Sequence, residues 1–279
     1  MLGLDAKDLS ALDAAAKRRL LAELLARKAR EKQYPASYTQ EALWFLNRFN
    51  PVQTAYSLFP DVRIRGPLRL DVVEQVLNEM LQRHEVLRTR FPERDGSPVQ
   101  LVDPYSPRHF ELIDLSDLSR EEQRRETRRL SLEQPPIDLR KGPVVGGRLV
   151  RWDLEDHVLL LYIHHIIFDG WSFGVATREV AALYQAFCDG KPSPLPDLPM
   201  QYGEFAIWQR HHLSGERLSR LEGYWLRKLQ GLRPLEMPTD RPRAPVRTTH
   251  SGDIGITVSP QLNRRVFDFA KREGVTLYM

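Results

Sequence analysis

The chain has 279 residues, 42% of them hydrophobic and 28% charged. This is an ordinary globular composition, with enough apolar residues for one large domain or two lobes. A net charge of +4 arises from basic and acidic residues mixed along the sequence; Arg120 to Arg129 alternates in sign, which describes a solvated helix face and argues against a nucleic-acid surface. No apolar run reaches the length of a membrane span, and the N-terminus lacks the basic-then-apolar order of a secretion signal. Cys188 is the single cysteine, so no disulfide can form within the chain, and a cytoplasmic setting is expected.

Residues 8–32 are predicted to form an amphipathic helix through Leu9, Leu12, Ala16, Leu20 and Leu24, suited either to linking or docking or to packing on the main body. Gln33-Tyr34-Pro35 ends it. Ser37 and Gln40 fit a capping box before Ala42 to Leu46, and Asn50-Pro51 stops that helix. Residues 57–65 read as extended. Leu70 to Arg83 reads as a helix with Val72, Val73, Val76, Leu77, Met80 and Leu81 inward. Leu87 to Phe91, Val99 to Val102 and Phe110 to Ile113 read as short strands, and a charged helix starts at Asp117-Leu118-Ser119 and runs to Glu133. Val144 to Trp152 and His157 to Ile163 are predicted strands around a turn at Asp153 to Asp156. The second is apolar nearly throughout, which predicts the middle of a sheet. Ser172 is expected to cap the next helix, whose core face is Ala176, Val180, Leu183, Tyr184 and Phe187.

Lys191 to Pro199 holds four prolines and reads as a linker. Two helices follow, at 200–213 and 217–230, then a proline- and arginine-rich irregular segment at 233–250. Asp253 to Val258 is a predicted strand and Pro260 to Glu273 a helix. Thr276 reads as the N-cap of a further helix that would have no core face to bury, so the chain is expected to be a fragment lacking much of a second lobe.

The candidate chemistry sits at His164-His165-Ile166-Ile167-Phe168-Asp169-Gly170. Side chains alternate along a strand, so one histidine can be held inside while the other enters a cleft. That alternation disfavours a two-histidine metal site, which needs both imidazoles on one side. Asp169 could orient an imidazole, cap a turn or pair with an arginine, and Gly170 is expected to relieve the backbone at a tight turn.

Four stretches together resemble the condensation domain of non-ribosomal peptide synthetases, in the chloramphenicol acetyltransferase-like superfamily: Ser37 to Leu46, Arg83 to Phe91, His164 to Ser172 and Tyr202 to Trp208. One alone is weak; four in order are specific. Ala42 stands where the family usually has a basic residue, Thr39 where it has a small one, and Glu204 where it has aspartate. The resemblance implies an α/β fold, layered as α+β. Residues 1–33 would be a linker or docking helix, 34–190 an N-terminal lobe with a mixed sheet and flanking helices, and 191–279 the start of an incomplete second lobe.

By the same resemblance, the chain would join a donor thioester and an acceptor amine, both carried on the 4′-phosphopantetheine arms of carrier domains in adjacent synthetase modules. It would bind no cofactor of its own, no metal, no nucleic acid and no membrane. The implied site is His165, His164, Asp169 and Gly170, supported by Arg83 and Arg88. His165 is the active-site imidazole, acting as a general base or positioning the amine and stabilising charge. His164 is structural, Asp169 pairs with Arg83 in first choice or Arg88 in second, and Gly170 leaves space for an arm. Trp171 and Ser172 set the helix start, while Tyr202, Phe205 and Trp208 belong to the core. The sequence after the glycine disfavours epimerisation relatives, and the histidine pair disfavours heterocyclisation relatives. A non-catalytic module that recruits carrier proteins is the rival reading.

Overall fold

The computed structural model describes residues 32–49, 55–133, 137–233, 235–242 and 254–279. The helix expected at 8–32 lies almost wholly outside them. The described residues form two compact units, one within Met1–Pro234 and one within Leu235–Met279.

In the first unit the alternating stretches form two sheets. Strands β2 (Ser57–Leu58), β3 (Asp61–Arg65), β7 (Glu111–Asp114), β8 (Val145–Asp153) and β9 (Asp156–His164) make five strands in the order β2-β9-β8-β7, with β3 also on β9. β7 and β8 run parallel and the other pairs antiparallel, so the sheet is mixed. β9 has a neighbour on each side, as its unbroken apolar run requires, because a strand without a solvent face has no use for alternation. The second sheet holds β1 (Lys32–Pro35), β4 (Thr89–Arg90), β5 (Glu93–Arg94) and β6 (Ser97–Val102). Leu87 and Arg88, expected in a strand, instead belong to a 3-10 turn at Glu85–Arg88, and Gln33-Tyr34-Pro35 is strand rather than helix end.

Helix α1 (Tyr38–Phe49) starts from the reciprocal Ser37–Gln40 cap. α2 (Leu70–Arg83) buries Val72, Val76 and Met80 against Leu183 and Phe187 of α4 (Gly170–Cys188). α3 (Arg120–Leu132), capped by Ser119, lays Leu130 on Val150, Trp152, Val158 and Leu160 of β8 and β9. The N-cap of α4 is Asp169; Ser172, expected there, sits three residues later as the reciprocal partner.

Helices α5 (Tyr202–His212) and α6 (Gly215–Lys228) follow the proline-rich stretch. Beyond the expected boundary at Lys191, α5 packs against the second sheet and the start of α1. Arg210 donates to the Ala36 carbonyl at 2.6 Å and pairs with Glu41 at 2.7 Å, and Tyr38 N–H donates to Gln209 at 3.0 Å. Gly203 permits the approach: a Cβ there would collide with the Tyr34 ring. The expected core residues Tyr202 and Trp208 are 37% and 51% exposed, because α5 offers Gly203 and Ala206 to the body instead. In the second unit α7 (Pro260–Glu273) forms as expected, whereas Ile254–Val258 is not a strand: no neighbouring chain pairs with it among the described residues.

Two buried polar features run through the first unit. Gln40 and Gln100, each 1% exposed, form an amide chain: Gln100 donates to the Pro35 carbonyl at 2.8 Å, Gln40 donates to Gln100 at 3.2 Å and to the Ile166 carbonyl at 3.3 Å. His164 and His157 are both 2% exposed. Burial pushes the His164 imidazole down to about 4, with the charge of His165 adding to it. Burial lowers His157 as well.

Replacing Gln40 by leucine leaves the Ser37 N–H, the Ile166 carbonyl and the Gln100 amide oxygen without their partner; unfolding in urea should show a loss of about 3 kcal/mol, and a loss under ~1 kcal/mol would contradict this role. A histidine held neutral in the fold protonates more readily once unfolded, so its stabilising contribution is complete above pH ~6.5 and is lost as pH falls towards the folded value. His164 alone should make the protein about 2 kcal/mol less stable at pH ~5 than at pH ~7.5. His164→Asn, whose side-chain oxygen can still accept from the backbone, should flatten that slope in urea-midpoint measurements.

Candidate active site

β9 ends at His164, and the chain turns at once. Ile167 N–H donates to the His164 carbonyl at 3.1 Å, closing a turn. Ile166 N–H donates to Nδ1 of His164 at 3.0 Å. Because Nδ1 accepts, the neutral ring carries its proton on Nε2. The Ile166 carbonyl is held by Gln40. Ile166 and Ile167 then bury into a cluster with Trp44, Phe91, Leu139 and Ile163. His164 is thus buried and bonded to the turn it begins.

His165 faces the other way. Its N–H donates to the Tyr56 carbonyl at 2.7 Å, which fixes the backbone and leaves the ring free. The half-buried ring lines a cleft of about 630 Å³ and makes no hydrogen bond among the described residues. Such a volume suits a small-molecule or tethered substrate. Its walls come from α1 (Leu43), the second motif (His84, Val86), the turn itself, Met200 before α5, and Tyr202 and Phe205 in its first turns.

Asp169 does not pair with Arg83 or Arg88. Its carboxylate accepts from Ser172 N–H at 2.9 Å and from the Ser172 hydroxyl at 2.7 Å, and Asp169 N–H donates back to Ser172 Oγ at 3.2 Å. The Ser172 hydroxyl, its backbone N–H and, more weakly, the charge of His165 hold the carboxyl below the usual aspartate range. A carboxylate at a helix N-terminus also complements the helix dipole.

Arg83 pairs with Glu179 of α4 at 3.4 Å and donates to the Pro196 carbonyl at 2.7 Å. Arg88 donates to the Asp103 carbonyl at 2.5 Å and lies 3.6 Å from Glu85. Both arginines anchor the second motif through partners other than Asp169.

Gly170 is exposed, opens α4 and lacks a positive φ, so relief of backbone strain is not its reason. A Cβ at Gly170 would meet nothing within 4 Å: the space beside it is open. Ser172 sets the helix start, while Trp171 is 82% exposed.

Three contributors escape a reading by motif. Glu179 joins Arg83 and also lies 2.6 Å from Nε2 of His84; an acid beside the apolar face of α4 was the available signal. Gln201 accepts from Glu85 N–H at 3.2 Å and donates to the Arg83 carbonyl at 2.9 Å, and nothing local in the sequence announces that contact. Gln40 is visible in sequence only as a cap. Among the described residues no cluster of three histidine, cysteine or acidic side chains could hold a metal ion, and no helix is long and apolar enough to cross a membrane.

The condensation domain family matches residues 30–279. The chain is 39% identical over 264 residues to one of the linear gramicidin synthase proteins of Brevibacillus parabrevis, covering 94% of this chain and 5% of that protein. It is 38% identical over 249 residues to phosphinothricin tripeptide synthetase PhsC of Streptomyces viridochromogenes, covering 88% of this chain and 23% of that one.

Among solved structures, the SgcC5 protein of Streptomyces globisporus is similar with a TM-score of 0.64 and 27% identity, over 88% of this chain and 57% of that chain. The X-domain from teicoplanin biosynthesis shares the fold with a TM-score of 0.70 at 24% identity, over 88% of this chain and 54% of its own. The chain therefore spans about half the length of these solved relatives and a small part of the curated synthetases. With the four motifs gathered around one cleft and the match running from residue 30 to 279, the chain belongs to the condensation domain family of non-ribosomal peptide synthetases, within the chloramphenicol acetyltransferase-like superfamily.

Proposed function

We propose that this chain serves amide-bond formation between a carrier-bound donor thioester and a carrier-bound acceptor amine, with His165 as the imidazole at the reacting nitrogen. The observation that carries the reading is an imidazole without an internal partner, facing a cleft and fixed by a buried turn. The amine nitrogen attacks the thioester carbonyl, a C–N bond forms, the C–S bond breaks and the donor arm leaves as a thiol. One proton must leave the nitrogen and one must reach the sulfur, and an imidazole within reach can take the first and return the second. Holding the two reactants in one cleft supplies the other large contribution.

Carrier domains of adjacent modules would be the partners, presenting their substrates on phosphopantetheine in the cytoplasm. His164, Asp169 and Gly170 act through position. His164 fixes the turn, ionised Asp169 caps α4 beside it, and Gly170 keeps open the surface that an arm would cross. Arg83 and Arg88 support the second motif behind the cleft. Recruitment of carrier proteins without catalysis is the reading to which a negative result would point.

With donor and acceptor carriers loaded onto the intact protein that contains this chain, His165→Ala should lower amide product by about 10²–10⁴-fold by mass spectrometry. Unchanged product would end the catalytic reading. Gly170→Val should leave circular dichroism and thermal unfolding unchanged while cutting product at least about tenfold, through obstruction of the arm. Full activity of that variant would remove Gly170 from the path.

A further inference from the structure

We propose that the cleft beside His165 selects an apolar acyl or aminoacyl group over an acidic one; this rests on the condensation reading above. Among the described residues, those lining the cleft include no lysine, arginine or glutamate. The polar groups that do line the cleft are occupied by the protein itself. Gln40 is committed to Ser37 N–H, Gln100 and the Ile166 carbonyl. Gln201 bridges Arg83 and Glu85. Ser172 donates twice to Oδ1 of Asp169, which remains an exposed carboxylate on the wall. His84 is held by Glu179 at 2.6 Å.

What remains for a ligand is the His165 ring and the hydroxyls of Thr39 and Tyr56, which have no hydrogen-bond partner among the described residues. None of these is a fixed charge, and among the described lining residues the fixed charge is that of Asp169, which is negative. The rest of the wall is carbon and sulfur, notably Leu43, Val86, Leu198, Met200 and Phe205. An acidic substrate side chain entering this cleft would give up water, meet no counter-charge and face the Asp169 carboxylate. An aliphatic or aromatic one would remove apolar surface from water on both sides. Met200 is the wall residue most open to change, since it is half exposed and lies on irregular chain before α5. Tyr202, by contrast, is pinned through its hydroxyl to Ser37 at 3.1 Å.

The test is calorimetric titration of the intact protein with pantetheine derivatives bearing leucyl, phenylalanyl, aspartyl or lysyl groups, each joined by an amide in place of the thioester. Leucyl and phenylalanyl derivatives should bind at least about tenfold more tightly than the aspartyl one. Met200→Asp should shift the lysyl-to-leucyl ratio by about tenfold towards lysyl, and Met200→Leu should keep the native order. Equal affinities for the apolar and aspartyl derivatives, a preference for aspartyl, or no binding of any derivative would overturn the proposal, and an unmoved ratio in Met200→Asp would remove Met200 from it. The amide-synthesis assay runs alongside. Apolar-selective binding with product independent of His165 would sink the catalytic reading and keep the selectivity, whereas unselective binding with His165-dependent product would sink the selectivity alone.

Discussion

The peptide unit of Ile166 governs the geometry of this molecule. Its N–H is taken by a buried imidazole and its carbonyl by a buried glutamine from a different helix. Buried backbone groups must find partners, and here both partners are side chains contributed by separate motifs. The turn cannot shift without stranding a donor or an acceptor in the interior. Since Ile166 and Ile167 are also packed into the core beneath it, the position of His165 between them and the end of β9 is determined from three directions. The free ring of His165 is a product of everything its neighbour His164 gives up in order to be buried.

The acid of the motif works by a different route from the one its spacing suggests. A carboxylate four residues from a histidine invites a direct pairing with a basic partner. Asp169 instead closes a reciprocal cap with Ser172 and fixes the first turn of α4. That helix presents Glu179 to Arg83 and His84, so the histidine motif and the second motif are joined through the length of a helix rather than through one ion pair. The arginine is engaged, but with an acid nearly three turns further along.

Where local pattern dictates structure, the sequence is readable. The helical spacing of Val72, Val76 and Met80, the apolar run of β9 and the Ser37–Gln40 cap each name their own geometry. The pair of histidines with opposed environments follows from strand alternation alone. Tertiary choices were not readable in the same way. Leu87 and Arg88 have strand-like neighbours yet form a tight turn, because Glu85 is drawn under Lys32 of β1 at 2.7 Å. Asp169 and Ser172 are both good caps, and only the reciprocal geometry decides between them. The aromatic spacing of Tyr202, Phe205 and Trp208 reads as a core stripe, but the small residues Gly203 and Ala206 are what the sheet admits. Two of those aromatics face the cleft instead.

The side chain of Gln201 behaves like a strand laid against the backbone of Arg83 and Glu85, accepting from one residue and donating to the other. Its position just beyond a proline-rich stretch makes it a hidden stitch across an inviting place to cut. Anyone recombining synthetases to make new peptides would see Lys191 to Pro199 as a natural seam. A graft joined there would bring a foreign glutamine, or none, to peptide groups shaped for this one, together with a foreign α5 against Tyr34. Hybrids joined beyond α6 would carry the whole fastening with them, and their yield would depend less on luck in matching parents.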